Sequence, residues 1–227
     1  MPKTIADVLF ILLTLAMTAW VYRASVGLGL GPRFRIGMLV WLALTATMGI
    51  LGTVSDFSTM PPKFVFILSV PLTTVLIITF HKSVAASLPA VSPSSLIAFQ
   101  SMRVGVEICL YLLFLAGALP VLMTPEGRNF DVLIGLTAFL AARWSIVPAR
   151  RNLAIAWNIL GILLLANVVI HGLLAAPTQF QVFHTDPSNT VIATFPWIWL
   201  PGFIVPLALA GHLLSLRQLW LLRSAGR

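Results

Sequence analysis

Apolar residues in this chain fall into seven blocks, each broken by a short polar or proline-rich stretch. The blocks run roughly over 4–22, 36–54, 63–81, 95–119, 130–147, 152–175 and 193–216. A helix needs about 20 predominantly apolar residues to cross the hydrocarbon core of a bilayer, and blocks of this length read as membrane spans. The pattern predicts an all-α fold: a polytopic membrane helix bundle of seven transmembrane helices, forming one domain over 1–227. Block three contains Pro71. The longest loop, Pro177 to Thr194, precedes the last block, whose outer half carries Pro196, Pro201 and Pro206 at intervals of five. Each proline removes a backbone donor and invites a kink. Ser94 or Ser95 is placed to cap the fourth span. No internal repeat is visible, so an inverted-repeat transporter finds no support.

Composition agrees. Of 227 residues, 59% are hydrophobic and 9% charged, and the mean hydropathy is +1.01. A soluble domain carries about 25% charged residues. A soluble enzyme, a nucleic-acid-binding domain and a disordered chain are excluded. The formal net charge of +8 changes the picture only through its distribution. Arg23, Arg33, Arg35, Lys82, Arg143, Arg150, Arg151, Arg217, Arg223 and Arg227 all fall on one side of a seven-span topology, with no acidic residue among them. Lys3, Lys63 and Arg128 fall on the other, together with Asp7, Asp56, Glu126, Asp131 and Asp186. The positive-inside rule then puts the N-terminus outside and the C-terminus in the cytoplasm. The basic side meets anionic lipid headgroups, so membrane lipids are the expected partners and nucleic acid is not. Only Lys3 precedes the first block while three arginines follow it, so that block reads as a retained span rather than a cleaved signal peptide.

Chemistry concentrates in two places. In the fourth span, Gln100, Arg103, Glu107 and Tyr111 are spaced 3, 4 and 4 apart and share one helix face. A charge at mid-bilayer costs about 2.5–3.5 kcal/mol even on the lenient insertion scale. Arg103 and Glu107, four apart, are placed to pair with each other. Two readings stand: a polar track lining a cavity, or an internal ion pair that clamps helices. The second place is Thr124-Pro125-Glu126-Gly127-Arg128-Asn129-Phe130-Asp131, at the outer mouth of spans four and five. Pro125 and Gly127 suit a turn, and Asn129 or Asp131 suits a helix cap. Against that capped, salt-bridged turn stands an anion or headgroup site on Arg128, or acid/base work by Glu126 and Asp131.

Other residues say less. His81 and His212 approach the cytoplasmic interface, whereas His171 and His184 belong to the outer half. No metal-ligand spacing joins them, so no metal is expected, cofactors stay open, and hydrogen bonding is the expected histidine role. Asn167 and His171 share a face of the sixth span. Cys109 reads as a small core hydrophobe. Trp197 and Trp199 at the outer end, and Trp20, Trp144 and Trp220 at the inner end, read as interfacial belts.

The run Thr124-x-Glu126-Gly127-Arg128-Asn129-Phe130-Asp131, continuing through Leu133-Ile134-Gly135-Leu136-Thr137, resembles a widespread family of bacterial seven-span membrane proteins. Gln100-x-x-Arg103-x-x-x-Glu107, Met60-Pro61-Pro62, the Asn158 region and Ala176-Pro177 are similar to theirs. So are Phe195-Pro196-x-x-Trp199-Leu200-Pro201 and His212-Leu213-x-Ser215-Leu216-Arg217-Gln218. Pro125 departs from the pattern, since an aromatic residue is common there. The resemblance implies a bacterial origin, a multi-pass place in the inner membrane and a seven-span fold; it supplies no reaction or ligand. Most of these pieces lie on the outer side, where the three outer loops are expected to form one cap over the bundle.

Three functions fit. The first is binding of a small molecule or lipid, as receptor or carrier, through Gln100, Arg103, Glu107, Tyr111, Glu126, Arg128, Asn129 and Asp131. This reading expects Arg103 and Arg128 to face a cavity. The second is an intramembrane enzyme acting on a lipid or isoprenoid, which needs carboxylates or histidines to converge. The third is a structural or assembly protein. Oligomeric state is not legible.

Overall fold

The structure is a computed structural model that describes residues 2–224, with side chains placed through Leu222. Of the orienting charges, Arg227 lies outside the described residues, and Arg223 is described in its backbone alone. Among the described residues all regular structure is helical. The helices are α1 (Pro2–Gly27), α2 (Pro32–Leu51), α3 (Phe64–Phe80), α4 (Lys82–Ser87), α5 (Pro93–Ala98), α6 (Met102–Leu115), α7 (Val132–Ile146), α8 (Arg151–Leu174) and α9 (Val205–Ser224).

Five helical stretches are long and apolar enough to cross a membrane: Pro2–Gly27, Pro32–Leu51, Pro93–Leu115, Pro148–Leu174 and Leu200–Leu222. A sixth follows if α3 and the helix after it, bent by 55°, count as one span. The apolar α7 has 15 residues, about 22 Å at 1.5 Å per residue. The chain is thus a multi-pass helical membrane protein.

Helix ends follow local chemistry. Pro32 opens α2, where a missing N–H is harmless. Gly52 closes it in the left-handed conformation at φ 66°, its N–H returning to the Met48 carbonyl. The α5 helix begins at Pro93 after Ser92, and the Ser95 hydroxyl donates to the Ser92 carbonyl; neither Ser94 nor Ser95 is the cap. The last span departs furthest from expectation. Residues 194–198 are turns, and helix starts as one π-turn over Leu200–Ile204 before α9. Pro201 sits in the first turn, where its missing N–H is harmless, whereas Pro206 withholds a donor within the helix, and a π-turn is a recognised form of such a break.

The bundle packs α1 on α6, α7 on α5, α6 and α8, and α9 on α3, α5 and α8. By contrast, α2 and α3 both lean on the π-turn and have little contact with each other. Tryptophans anchor the core. Trp197 is fully buried, stacks on Phe10 at 4.5 Å and donates to Asp7 at 2.7 Å. Trp199 is buried and donates to the Leu42 carbonyl at 3.0 Å. The belt expectation therefore fails for this pair: their N–H groups find partners inside the protein, which frees the rings to fill the core.

One end of the bundle holds the start of α2, the end of α3, the 148–150 turn and the end of α9. Among the described residues it carries Arg33, Arg35, Lys82, Arg150, Arg151 and Arg217, and no acidic side chain. The chain's six acidic residues lie beyond it, five toward the opposite end and Glu107 within α6.

Candidate functional site

The polar residues of α6 meet the 124–131 turn inside the protein. Arg103 is buried and pairs through Nη1 with Asp131 Oδ1 at 2.9 Å. Glu107, also buried, accepts from Asn129 Nδ2 at 2.8 Å on both carboxylate oxygens. The same amide nitrogen reaches the Met123 carbonyl at 3.1 Å, and Asn129 Oδ1 accepts from the Asp131 N–H at 3.0 Å. Arg103 and Glu107 therefore do not bond to each other as their spacing suggested. Each is bound instead by a residue of the turn, because a cross-helix partner lets both charges be met in the interior. The turn is closely packed: a side chain at Gly127 would overlap the Val121 carbonyl.

The other candidates scatter. Gln100 is buried and donates to the Ala208 carbonyl on α9 at 2.9 Å. Tyr111 and Glu126 bond at 2.7 Å on an exposed edge. Arg128 lies over the Phe183 ring at 5.4 Å, with Nη1 3.4 Å from His171 Nε2. His171 Nδ1 contacts the Asn167 carbonyl at 2.8 Å, and Asn167 Nδ2 donates to the Arg128 carbonyl at 2.7 Å. This fixes a lone pair on Nε2 facing the guanidinium. Arg128 thus joins the fourth-to-fifth connection to the long 175–199 loop. That loop also touches the second connection, through Gln179 to Met60. Three loops at this end of the bundle therefore meet.

Sequence reasoning missed a second buried pair. His212 is fully buried, with Nδ1 2.9 Å from Asn158 Oδ1, and its ring leaves room only for glycine at 161. Its burial among the helices was not legible from counting residues along the span. Among the described residues, Arg103 Nε and Nη2, Gln100 Oε1 and His212 Nε2 are buried without a hydrogen-bond partner. No cluster of three or more His, Cys, Asp or Glu able to hold a metal occurs among the described residues.

An apolar cavity lies elsewhere. It has a volume of about 400 Å³ and is walled by α1, α2, α3, α5, the π-turn and α9. Trp20, Met38, Trp41, Val75, Phe99 and Leu207 are among its apolar walls. Gly37 on α2 and Thr74 on α3 both line it and are exposed, so it is reached between those two helices. Trp41 donates to the Gly202 carbonyl at 2.8 Å and closes the end nearest mid-bundle. None of the eight candidate residues lines it.

No curated protein and no solved structure matches the chain. One family model does: a domain of unknown function, DUF8737, matches residues 61–220, from the start of the third helix almost to the end of the last, and the chain belongs to that family.

Proposed function

We propose that this is a seven-span protein of a bacterial inner membrane, N-terminus outside and C-terminus in the cytoplasm, that binds a lipid or other apolar small molecule from within the bilayer. The one-sided basic residues support the orientation, and the resemblance to bacterial seven-span proteins supports the source. In this reading α7 is the short fifth span and α3 with its bent continuation is the third. The observation that carries the binding role is the side-opening apolar cavity. Its size falls in the range of ligand sites, and such sites are mostly apolar with few polar groups. A void of that volume left empty in a packed bundle is costly, since interiors otherwise fill to crystal density. The Arg103–Asp131 and Glu107–Asn129 pairs then act as the brace that holds the outer turn on α6.

A second reading has one specific observation behind it: the unpaired Arg103 Nε and Nη2, which suit a small polar ligand lodged beside the outer cap. Native mass spectrometry after gentle extraction separates the two. The cavity reading expects one tightly retained apolar mass per chain, lost in Gly37→Leu, where the added side chain enters open space. If Arg103→Gln loses that mass while Gly37→Leu keeps it, the site belongs to the outer cap. Exchangeable bulk phospholipid alone overturns both.

A further inference from the structure

The cavity's two ends differ, and the difference names a headgroup. Its mid-bundle end is capped by Trp41 on Gly202. Its other end reaches the basic end of the bundle, where Leu30, Phe34, Thr79 and Leu214 contribute to the wall. There Arg217, one turn beyond Leu214, donates through Nη1 to the carbonyl of Thr79 and, at 3.2 Å, to that of His81. Arg35 flanks the same end, its guanidinium 5.3 Å above the Tyr22 ring. Arg33 adjoins the wall residue Phe34 and is exposed.

Two further observations point to a ligand. The first is Thr79. Thr14, Thr18, Thr45 and Thr74 return their hydroxyls to the carbonyl four residues back, the usual way a threonine hydroxyl is met inside a helix. Thr79, 2% exposed and part of the cavity wall, has no partner for its hydroxyl. Arg217 grips the carbonyl of this same residue, and rotation about one bond re-aims the hydroxyl. The second is charge balance. Among the described residues, arginines gather at this end with no acidic side chain to answer them, whereas Arg103 within the bundle has Asp131 and Lys3 at the other end has Asp7 at 2.8 Å. An apolar slot ending under uncompensated arginines and a spare hydroxyl is complementary to an amphiphile with a long chain and an anionic head.

We infer that the cavity holds the hydrocarbon chain of a lipid whose phosphate-bearing headgroup sits at the basic rim formed by Arg217, Arg35 and Arg33, with Thr79 as a further donor. The inference rests on the lipid-binding reading above. Arg217 then has two tasks: Nη1 secures the end of α3, and the rest of the guanidinium faces the headgroup. Arginine suits the second because its planar fork pairs with phosphate.

The test uses the full chain in an uncharged detergent. The probes are two dibrominated octadecyl chains, one carrying phosphate and one phosphocholine. Bromine quenches tryptophan on contact, and Trp20 and Trp41 both line the cavity. Both probes should quench saturably, with the phosphate probe bound about tenfold more tightly, as engagement of one or two arginines implies. That preference should fall below about twofold in Arg217→Gln and, in the unaltered protein, at molar salt where surface charge is screened. Arg217→Lys should keep part of it. If Arg217→Gln does not fold, Arg33→Gln and the salt titration carry the same question. Equal affinity for the two heads in the unaltered protein overturns the headgroup inference and leaves lipid binding standing. Absence of saturable quenching by either probe overturns lipid binding itself.

Discussion

The first turns of α6 and the first half of α2 solve the same problem in opposite ways. Around α6, strongly polar groups are drawn into the bundle and every neighbour closes on them: Asp131 on Arg103, Asn129 on Glu107, Gly135 against Val104 and Arg103. Around α2, hardly anything polar is buried, and the helices stand apart over an apolar void. Paired charge is intolerant of looseness, because a buried ion loses its compensation as soon as its partner moves. An apolar wall tolerates a gap when lipid can fill it. The comparison assigns rigidity to the braced half and accommodation to the splayed half.

The sharpest way to break this comparison is Asp131→Ala. Arg103 would then be buried beside an alanine with two of its nitrogens already unpartnered. Removing one member of a buried pair costs about 3–5 kcal/mol, a large share of any fold's stability. Thermal unfolding in detergent, followed by circular dichroism, should show a large drop or no folded protein. Asp131→Asn, which keeps an acceptor, should fall between. A near-unchanged midpoint for Asp131→Ala would show that Arg103 reaches water, and the brace would have to be redrawn as a wet site.

Next in size is Gly135→Ala. A methyl there would stand 2.8 Å from the backbone nitrogen of Val104 and 3.3 Å from Arg103 Cβ. Backbone cannot step aside, so α7 must back away from α6. Overpacking of this kind costs about 1–3 kcal/mol, and it should loosen the Arg103–Asp131 bond as well. The same unfolding assay reads the first effect. Faster hydrogen exchange in the 129–135 segment reads the second.

How much of this was legible in the sequence follows the range of the interactions. Hydropathy alone gave the spans that depend on local composition, and α3 and α8 fall within a residue of the expected blocks. The last span failed because proline chemistry moved its start. The burial of His212 and the stacking of Trp197 on Phe10 were missed with it. On α6 the helical period correctly grouped Gln100, Arg103 and Glu107 on the buried side. It wrongly included Tyr111, which sits at the edge with Glu126. The partners were misassigned because a four-residue spacing shows what can meet along one helix, while Asp131 and Asn129 arrive from 28 and 22 residues away. The cavity left no mark at all. A void is made by which helices fail to touch, and an apolar wall residue reads the same as an apolar core or lipid-facing residue.

Gly37→Ala is the smallest expected effect and tests the splayed half alone. Nothing lies within 4 Å of a methyl at that position, so the substitution meets no neighbour. Its consequence is the helix-propensity difference, in which alanine exceeds glycine by up to about 1 kcal/mol in a helix interior. The midpoint should therefore rise slightly, opposite in sign to Gly135→Ala for the same chemical change. The pair shares one chemical change, which removes the ambiguity of comparing unlike mutations. If Gly37→Ala instead destabilises, α2 closes on α3 in the membrane, and the void is a state of the splayed helices rather than a standing site. If it stabilises while Gly37→Leu also blocks retention of the bound lipid, space at α2 is open to the ligand and unneeded by the fold.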